Sequence, residues 1–458
     1  MTLAQQNTTG AEEAPARLLR NRNYLWWLAT DTSTAFGAAL HSFSVPLLAL
    51  YVTGSPAQAG IIAGIGQVGR VLATLPGGVV ADRHNRRTLM VAGGAIGLAV
   101  AAALTAFQLA GLLGFWLLTV LNLLMSMRNG FFSSTSNAAL KSVVDPRQVG
   151  PAMAANEGRD AVIALSGGPA GGVLMGFARA LPFAATAAAH AVAIVAAMMI
   201  RADLHPGGRP AGADGAGPDA VGREGSGGDA VGTGGAAAAR AAVGSFVGEA
   251  VSGIRWLYGR PELRGIMVLA TVVNLGLNSA ITAVIFGLQQ RGETPAVIGL
   301  ISAGIGAGML LGSLVAGPLV RRAGAGSIII AGLLLMTAAL AVLPFVSSVP
   351  AILVIQAVAI FGGPAINAAL LGYFMVAVPT ELLGRAGSAL DLLSLGATPL
   401  APLVAGFGYA LLGWTGILLV CAGICAVAAC LALFNGRLRA LPASDRWAEH
   451  AAAHDTAL

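Results

Sequence analysis

Apolar blocks, most of twenty residues or more, follow one another along nearly the whole chain, separated by short polar punctuation. They run at roughly 24–51, 59–80, 88–110, 114–136, 152–178, 182–200, 265–289, 296–319, 325–346, 350–377, 385–410 and 413–434. A helix rises about 1.5 Å per residue, so blocks of this length can cross a hydrocarbon core of about 30 Å. The pattern predicts an all-α membrane protein with twelve transmembrane helices, spans 1 to 12. Six lie on each side of a long polar interruption at 202–245, which is rich in Gly, Ala, Pro and Asp. Such a segment cannot bury enough apolar surface to order itself and is expected to be a disordered linker. Beyond it, Val247, Val251 and Ile254 recur at helical spacing, continued by Leu257 or Tyr258 and flanked by arginines. That predicts an amphipathic helix at 246–264 lying on the membrane surface. The expected organisation is an N-terminal tail (1–23), a six-helix half (24–201), the linker (202–245), the surface helix (246–264), a second six-helix half (265–434) and a C-terminal tail (435–458).

Composition agrees. The chain is 56% hydrophobic and 10% charged, against roughly 25% charged in soluble proteins. Its basic balance, +6 with a pI near 9.8, would suggest nucleic acid in a soluble protein. Here the arginines follow the loops instead. With the N-terminus inside, Arg17, Arg20, Arg22, Arg83, Arg86, Arg87, Lys141, Arg147, Arg321, Arg322, Arg385 and the linker and C-terminal arginines share one side; Arg179 and Arg291 take the other. This bias predicts a multi-pass protein of the plasma (inner) membrane with both termini and the linker in the cytoplasm. The first 23 residues are polar, so no cleavable leader is expected. Cys421, Cys425 and Cys430 all fall in the last block and read as packing residues, without metal-binding spacing.

"GIGQVG" (64–69) matches a dinucleotide fingerprint, but it lies inside span 2, where small residues serve close helix packing. No phosphate-binding loop of the Walker type occurs, so no nucleotide or other cofactor is expected and an ion gradient is the expected energy source. Two six-helix halves joined by a cytoplasmic linker form a transporter architecture, with a site near the midplane. The halves retain a trace of symmetry: "GGVVADRHNRRTLM" ends span 2 and "AGPLVRRAGAGSII" (316–329) ends span 8, the second copy lacking the acid.

The loop Gly78-x-x-x-Asp82-Arg83-x-x-Arg86-Arg87 resembles the signature of the major facilitator superfamily between spans 2 and 3, with Asn85 where that family often has glycine. "NRNYLWWLATDTSTAFGAALHSFSVPLLALYVTGSPAQAG" (21–60), "NGFFSSTSNAALKSVVDPRQVGPAMAANEG" (129–158) and "GRAGSALDLLSLGATPLAPLVAGFGYALLG" (384–413) resemble the drug:proton antiporter branch holding macrolide-efflux proteins and enterobactin-type exporters. "SGGPAGGVLMG" (166–176), with Gly168, Pro169 and Gly172, resembles the span 5 motif of drug antiporters without its full set of preceding glycines. The resemblance implies export. It also implies that the arginine loop latches the halves in an outward-open state, with Asp82 facing the start of span 11 near Gly384–Ser388; an acid is favourable beside the positive end of a helix dipole.

Charges inside spans carry the remaining chemistry. A charged side chain at a helix centre is costly, so it normally faces a cavity or a partner. Asp31, Glu157 and Asp160 are the candidates for proton coupling, with Arg70, Arg128 and Arg159 as charge partners and Asp391 as a gating partner between halves. Desolvation favours the protonated form of a carboxyl group and a nearby cation the ionised form. An acid that alternates between these surroundings can exchange a proton for substrate, and Asp31 is the first choice. The competing reading is a structural Asp31–Arg70 pair. His41 and His190 read as packing residues. Phe36, Phe43, Phe132, Asn137, Asn274, Asn278, Phe286, Asn367 and Tyr373 are candidate walls of an amphipathic cavity, lipid or core packing being the alternative for each. The expectation is a non-enzymatic, monomeric, proton-coupled exporter of drug-, macrolide- or siderophore-like molecules, conferring multidrug resistance by efflux. Its partners would be the substrate, protons and the bilayer, with no nucleic acid or metal. A proton-coupled importer and a non-transporting receptor are the alternatives.

Overall fold

The computed structural model describes residues 18–145, 148–205, 261–378, 397–447 and 449–450. Residues 206–260, which hold most of the expected linker and surface helix, lie outside the described residues, as do 379–396 at the start of span 11 and the ends of both tails. Every regular element described is helical. Span 1 is Arg22–Thr53, span 2 Pro56–Arg83, span 3 Arg86–Leu109, span 5 Val149–Phe177 and span 6 Leu181–Met199. Span 7 is Pro261–Gln290, span 8 Pro295–Arg322 and span 9 Ala325–Val342.

Spans 4 and 10 are each built from two pieces: Phe115–Phe131 with Ser133–Val143, and Val349–Phe361 with Gly363–Ala377. The run Leu400–Phe434 carries the described part of span 11 and all of span 12. Among the described residues, ten helices are individually long and apolar enough to cross a membrane. Counting the two-piece span 4 and dividing the last run at its bend reconciles them with twelve crossings.

Local chemistry sets the ends. Asn21, Ser55, Asn85 and Thr294 cap the starts of spans 1, 2, 3 and 8 with their side-chain oxygens, and Pro56 and Pro295 follow in the first turn, where a missing N–H costs nothing. Asn85 accepts from the Arg87 N–H at 2.9 Å with a φ of −59°, a conformation that needs no glycine. The bend between spans 11 and 12 is different: Gly413 has φ 66° and ψ −168°, a region closed to residues with a side chain. Nothing lies within 4 Å of a Cβ built there, so the requirement is one of backbone alone. Gly413→Ala is therefore expected to destabilise the protein by about 1–3 kcal/mol, read as a lower thermal-unfolding midpoint of the purified protein; an unchanged midpoint would contradict the bend.

The two halves repeat one packing device. In each, span 4 or its counterpart span 10 breaks just after a phenylalanine, and a glycine of span 2 or span 8 sits against that residue's carbonyl: Gly77 on Phe131, Gly312 on Phe361. A side chain at either glycine would fill the space the break occupies.

Contacts between the halves gather at the end away from the arginine loops, here the far end. Gly60 and Gly406 bring spans 2 and 11 to backbone contact, as do Gly172 and Gly299 for spans 5 and 8. The Gln289 side-chain amide donates to the Leu47 carbonyl at 2.8 Å, joining spans 7 and 1. Toward the arginine-rich end no such contact forms among the described residues: a Cβ at Gly78, Gly158 or Gly317 would meet nothing within 4 Å. The halves therefore close at the far end and diverge toward the other. Large apolar side chains such as Leu109, Trp116, Phe177, Leu314 and Phe434 are exposed around the outside, as a lipid-facing surface requires.

Candidate functional site

A cavity of about 620 Å³ lies where the halves diverge. Span 1 supplies one wall through Asp31, Thr34, Ala38, Ser42 and Val45, positions three or four apart that share a helix face. Span 2 adds Gln67 and Arg70, span 4 adds Ser126, Arg128, Asn129, Phe132 and Asn137, and span 5 adds Glu157, Arg159 and Asp160. The second half contributes Asn278, Thr282 and Ile285 of span 7 and Pro402 of span 11.

The central electrostatic feature is a cation between two acids. The Arg159 guanidinium lies 2.5 Å from Asp31 and 2.7 Å from Asp160, and the Asp31 and Arg159 side chains are only 15% and 13% exposed. Asp31 and Arg159 tie span 1 to span 5. Arg159 Nη1 is buried without a partner among the described residues, so the guanidinium keeps unused donor capacity.

Asp31 is thus paired, but with Arg159 and not with Arg70. Arg70 lines the same cavity with no ion pair or hydrogen bond from its side chain among the described residues. Arg128 is 6% exposed and held by two hydrogen bonds, from Nε to the Gly93 carbonyl at 2.8 Å and from Nη1 to Asn129 Oδ1 at 2.9 Å. It contacts neither Glu157 nor Asp160, so it is not a direct charge partner of these acids in this state. Glu157 is exposed at the cavity edge.

The other candidates divide. Phe132, Asn137 and Asn278 line this cavity. Asn274 and Asn367 line a second, largely apolar space of about 450 Å³ with Leu277, Met309, Leu310 and Ile360. The two spaces adjoin, since Asp160 and Asn278 line the first while their chain neighbours Ala161 and Leu277 line the second. Phe36 lines neither. Phe43 and Phe286 are core residues, and Phe43 packs on Gly171. Tyr373 is 2% exposed beneath Trp447, with its hydroxyl 3.0 Å from His450 Nδ1. Gly168 abuts Ser302 and Gly172 the Pro295 backbone, so the span 5 glycine motif with Pro169 packs against span 8 at the far end.

In the arginine loop, Arg86 donates to Ser142 Oγ at 2.7 Å and its backbone N–H to the Leu204 carbonyl at 3.2 Å. The loop is thereby fastened to span 4 and to the segment after span 6, where His205 donates a backbone hydrogen bond that holds the Asp203 carboxyl below its ordinary range. Arg83 is exposed, and Arg87 Nε is buried without a partner among the described residues. The Asp82 side chain, Asp391 and Gly384–Ser388 lie outside the described residues.

Sequence reasoning missed Gln67, Ser126, Asn129 and Asn156 as cavity-lining groups; for Gln67 and Asn156 the signal available was helical spacing, three residues before Arg70 and Arg159. His41 is a buried hydrogen-bonded residue, as its packing reading expected, but its partner Asn122 was missed. His41 Nε2 lies 3.1 Å from Asn122 Oδ1, Asn122 donates to the Ile62 carbonyl at 2.9 Å, and His190 is fully buried with neither ring nitrogen bonded among the described residues.

A family model described as Major Facilitator Superfamily matches residues 30–288 and 266–454. No curated protein matches significantly. Among solved structures, a variant of the nucleoside transporter NupG is similar with 11% identity and a TM-score of 0.63, over 89% of this chain and 99% of that one. A bacterial homolog of the human lysosomal transporter Spinster is similar in two inward-facing forms. The unoccupied form has 14% identity and a TM-score of 0.69 over 93% and 98% of the two chains. The occupied form has 14% identity and a TM-score of 0.67 over 91% and 97%. At these identities the likeness is one of fold.

Proposed function

We propose, from the premise that this chain belongs to the major facilitator superfamily of membrane transporters, that it exports small amphipathic molecules from the cytoplasm in exchange for protons. The observation that carries this reading is the cavity itself. Its first-half walls hold the Asp31–Arg159–Asp160 cluster, while the adjoining space against spans 7, 8 and 10 is lined mainly by apolar side chains. Such a site suits a ligand with a polar head and an apolar body, and it places an ionisable carboxylate where that ligand would sit.

The arginine bias puts the open end of the cavity in the cytoplasm of a cell membrane. In this state substrate enters from the cytoplasm. Rocking of the halves closes that end and separates the glycine contacts of spans 2, 5, 8 and 11 at the other. A proton arriving from outside neutralises Asp31, Arg159 keeps Asp160 as its partner, and substrate leaves. The return step carries the proton inward, where Asp31 releases it and pairs again with Arg159. The arginine loop with Asp82 would latch the cytoplasmic end in the alternate state.

Everted vesicles from cells expressing the protein test the direction. Acidifying the lumen should drive a lipophilic dye into it, and dissipating the gradient should stop uptake. Movement out of the lumen with protons would establish an importer, and no movement across a broad amphipathic panel would favour a receptor.

A further inference from the structure

We infer that the occupant of the cavity carries an organic anion, a carboxylate or a group of like charge and shape, read by Arg70 and Arg128. This rests on the reading of the chain as an exporter and names the charge of its substrate. A buried cation is normally matched by a carboxylate. Arg128 is buried, faces the cavity and among the described residues has only the neutral Gly93 carbonyl and Asn129 amide as partners. Arg70 has no side-chain partner among the described residues.

The two stand at the same depth. Gly130, two residues from Arg128, packs directly on the Arg70 backbone carbonyl. Among the described residues the acids of the cavity are committed elsewhere: Asp31 and Asp160 are both engaged by Arg159, and Glu157 lies on span 5 with no contact to either arginine. Spans 2 and 4 therefore bring only cations to the cavity, while its acids lie on spans 1 and 5 around Arg159. Gln67, Ser126 and Asn129 add neutral donors to the cationic side. The unengaged Arg70 guanidinium, the Arg128 Nη2 that makes no hydrogen bond among the described residues, and the amide and hydroxyl groups of the same two spans can together hold a carboxylate, and the apolar space along spans 7, 8 and 10 receives the rest of the molecule.

The test uses the full-length protein in proteoliposomes with two fluorescent probes that differ only in charge, dansylaminoundecanoate and its primary amide. Equilibrium binding should favour the carboxylate by about tenfold or more, and Arg70→Gln should reduce that preference to about threefold or less. Arg70 is exposed and its side chain makes no hydrogen bond or ion pair among the described residues, so its loss should leave folding intact, and Arg128→Lys, which keeps the charge but not the fork, should fall between. An amide bound as tightly as the carboxylate, a preference untouched by Arg70→Gln, or binding of neither probe would each overturn the inference. Transport on the same vesicles separates the two readings. A carboxylate that binds selectively but is not moved by a proton gradient sinks the exporter and leaves the anion site. An amide moved as fast as the carboxylate sinks the anion site and leaves the exporter.

Discussion

Asp31→Asn is expected to bring proton-driven efflux down to the level of empty vesicles while leaving the protein folded and able to exchange substrate down its own gradient. The substitution keeps shape and removes only the charge and the titrating proton. Losing one partner of a buried ion pair ordinarily costs about 3–5 kcal/mol, because the other charge is stranded. Arg159 is not stranded here: Asp160 remains 2.7 Å away, and both members of the lost pair keep some contact with the open cavity. Stability should therefore fall by much less, which separates a coupling defect from misfolding. Reconstituted protein measured side by side for gradient-driven uptake and for counterflow decides the matter. Proton-driven transport at the wild-type rate would remove Asp31 from the coupling role; loss of counterflow as well would make it a binding residue.

The second large effect is expected at the far-end seal. Gly168 of span 5 abuts Ser302 of span 8 with no room for a Cβ, and Gly299 approaches the Gly168 carbonyl in turn. Gly168→Leu forces a branched side chain into that seam. Overpacking costs about 1–3 kcal/mol, and here the cost falls only on the state in which the far end is closed. The populations of the two states should shift by about 5–150-fold toward an open far end, and transport should fall in proportion to the lost state. Hydrogen exchange should rise in the far-end turns of spans 2 and 5. Gly176→Leu lies two turns along the same helix, where nothing is within 4 Å of a Cβ, and should leave both exchange and transport near wild type. Equal behaviour of the two variants would contradict a seal at Gly168.

Much of the fold is legible because a bilayer is a demanding solvent. Unpaired backbone groups are excluded from the hydrocarbon, so each long apolar block has to be a helix. The arginines of alternate loops then give an expected orientation for the set. Asn21, Ser55, Pro56, Asn85, Thr294 and Pro295 also mark helix starts where the structure has them. The break at Phe132 was not legible from its own residues, whereas Gly362, Gly363 and Pro364 carry a local signal for the other. At both, a glycine from another helix, Gly77 or Gly312, lies against the carbonyl of Phe131 or Phe361, a contact with no trace in the local sequence.

The same limit governs the site. That Asp31, Arg128 and Arg159 face a cavity or a partner followed from the cost of charge in a membrane. Which charge meets which did not follow: Asp31 and Arg159 lie on different helices, and only the packing of span 1 against span 5 joins them. The aromatic residues show the limit most plainly. Phe43, Phe286 and Tyr373 are packed in the core or under Trp447, while Phe132 lines the cavity. A helix that is apolar all round gives no stripe from which its rotation can be read. By itself the sequence determined that the chain is a set of membrane-spanning helices and which kinds of charge they enclose. The tertiary structure alone decided which faces turn inward, which acid holds Arg159 and which end of the cavity is shut, because each depends on contacts between residues far apart in the chain.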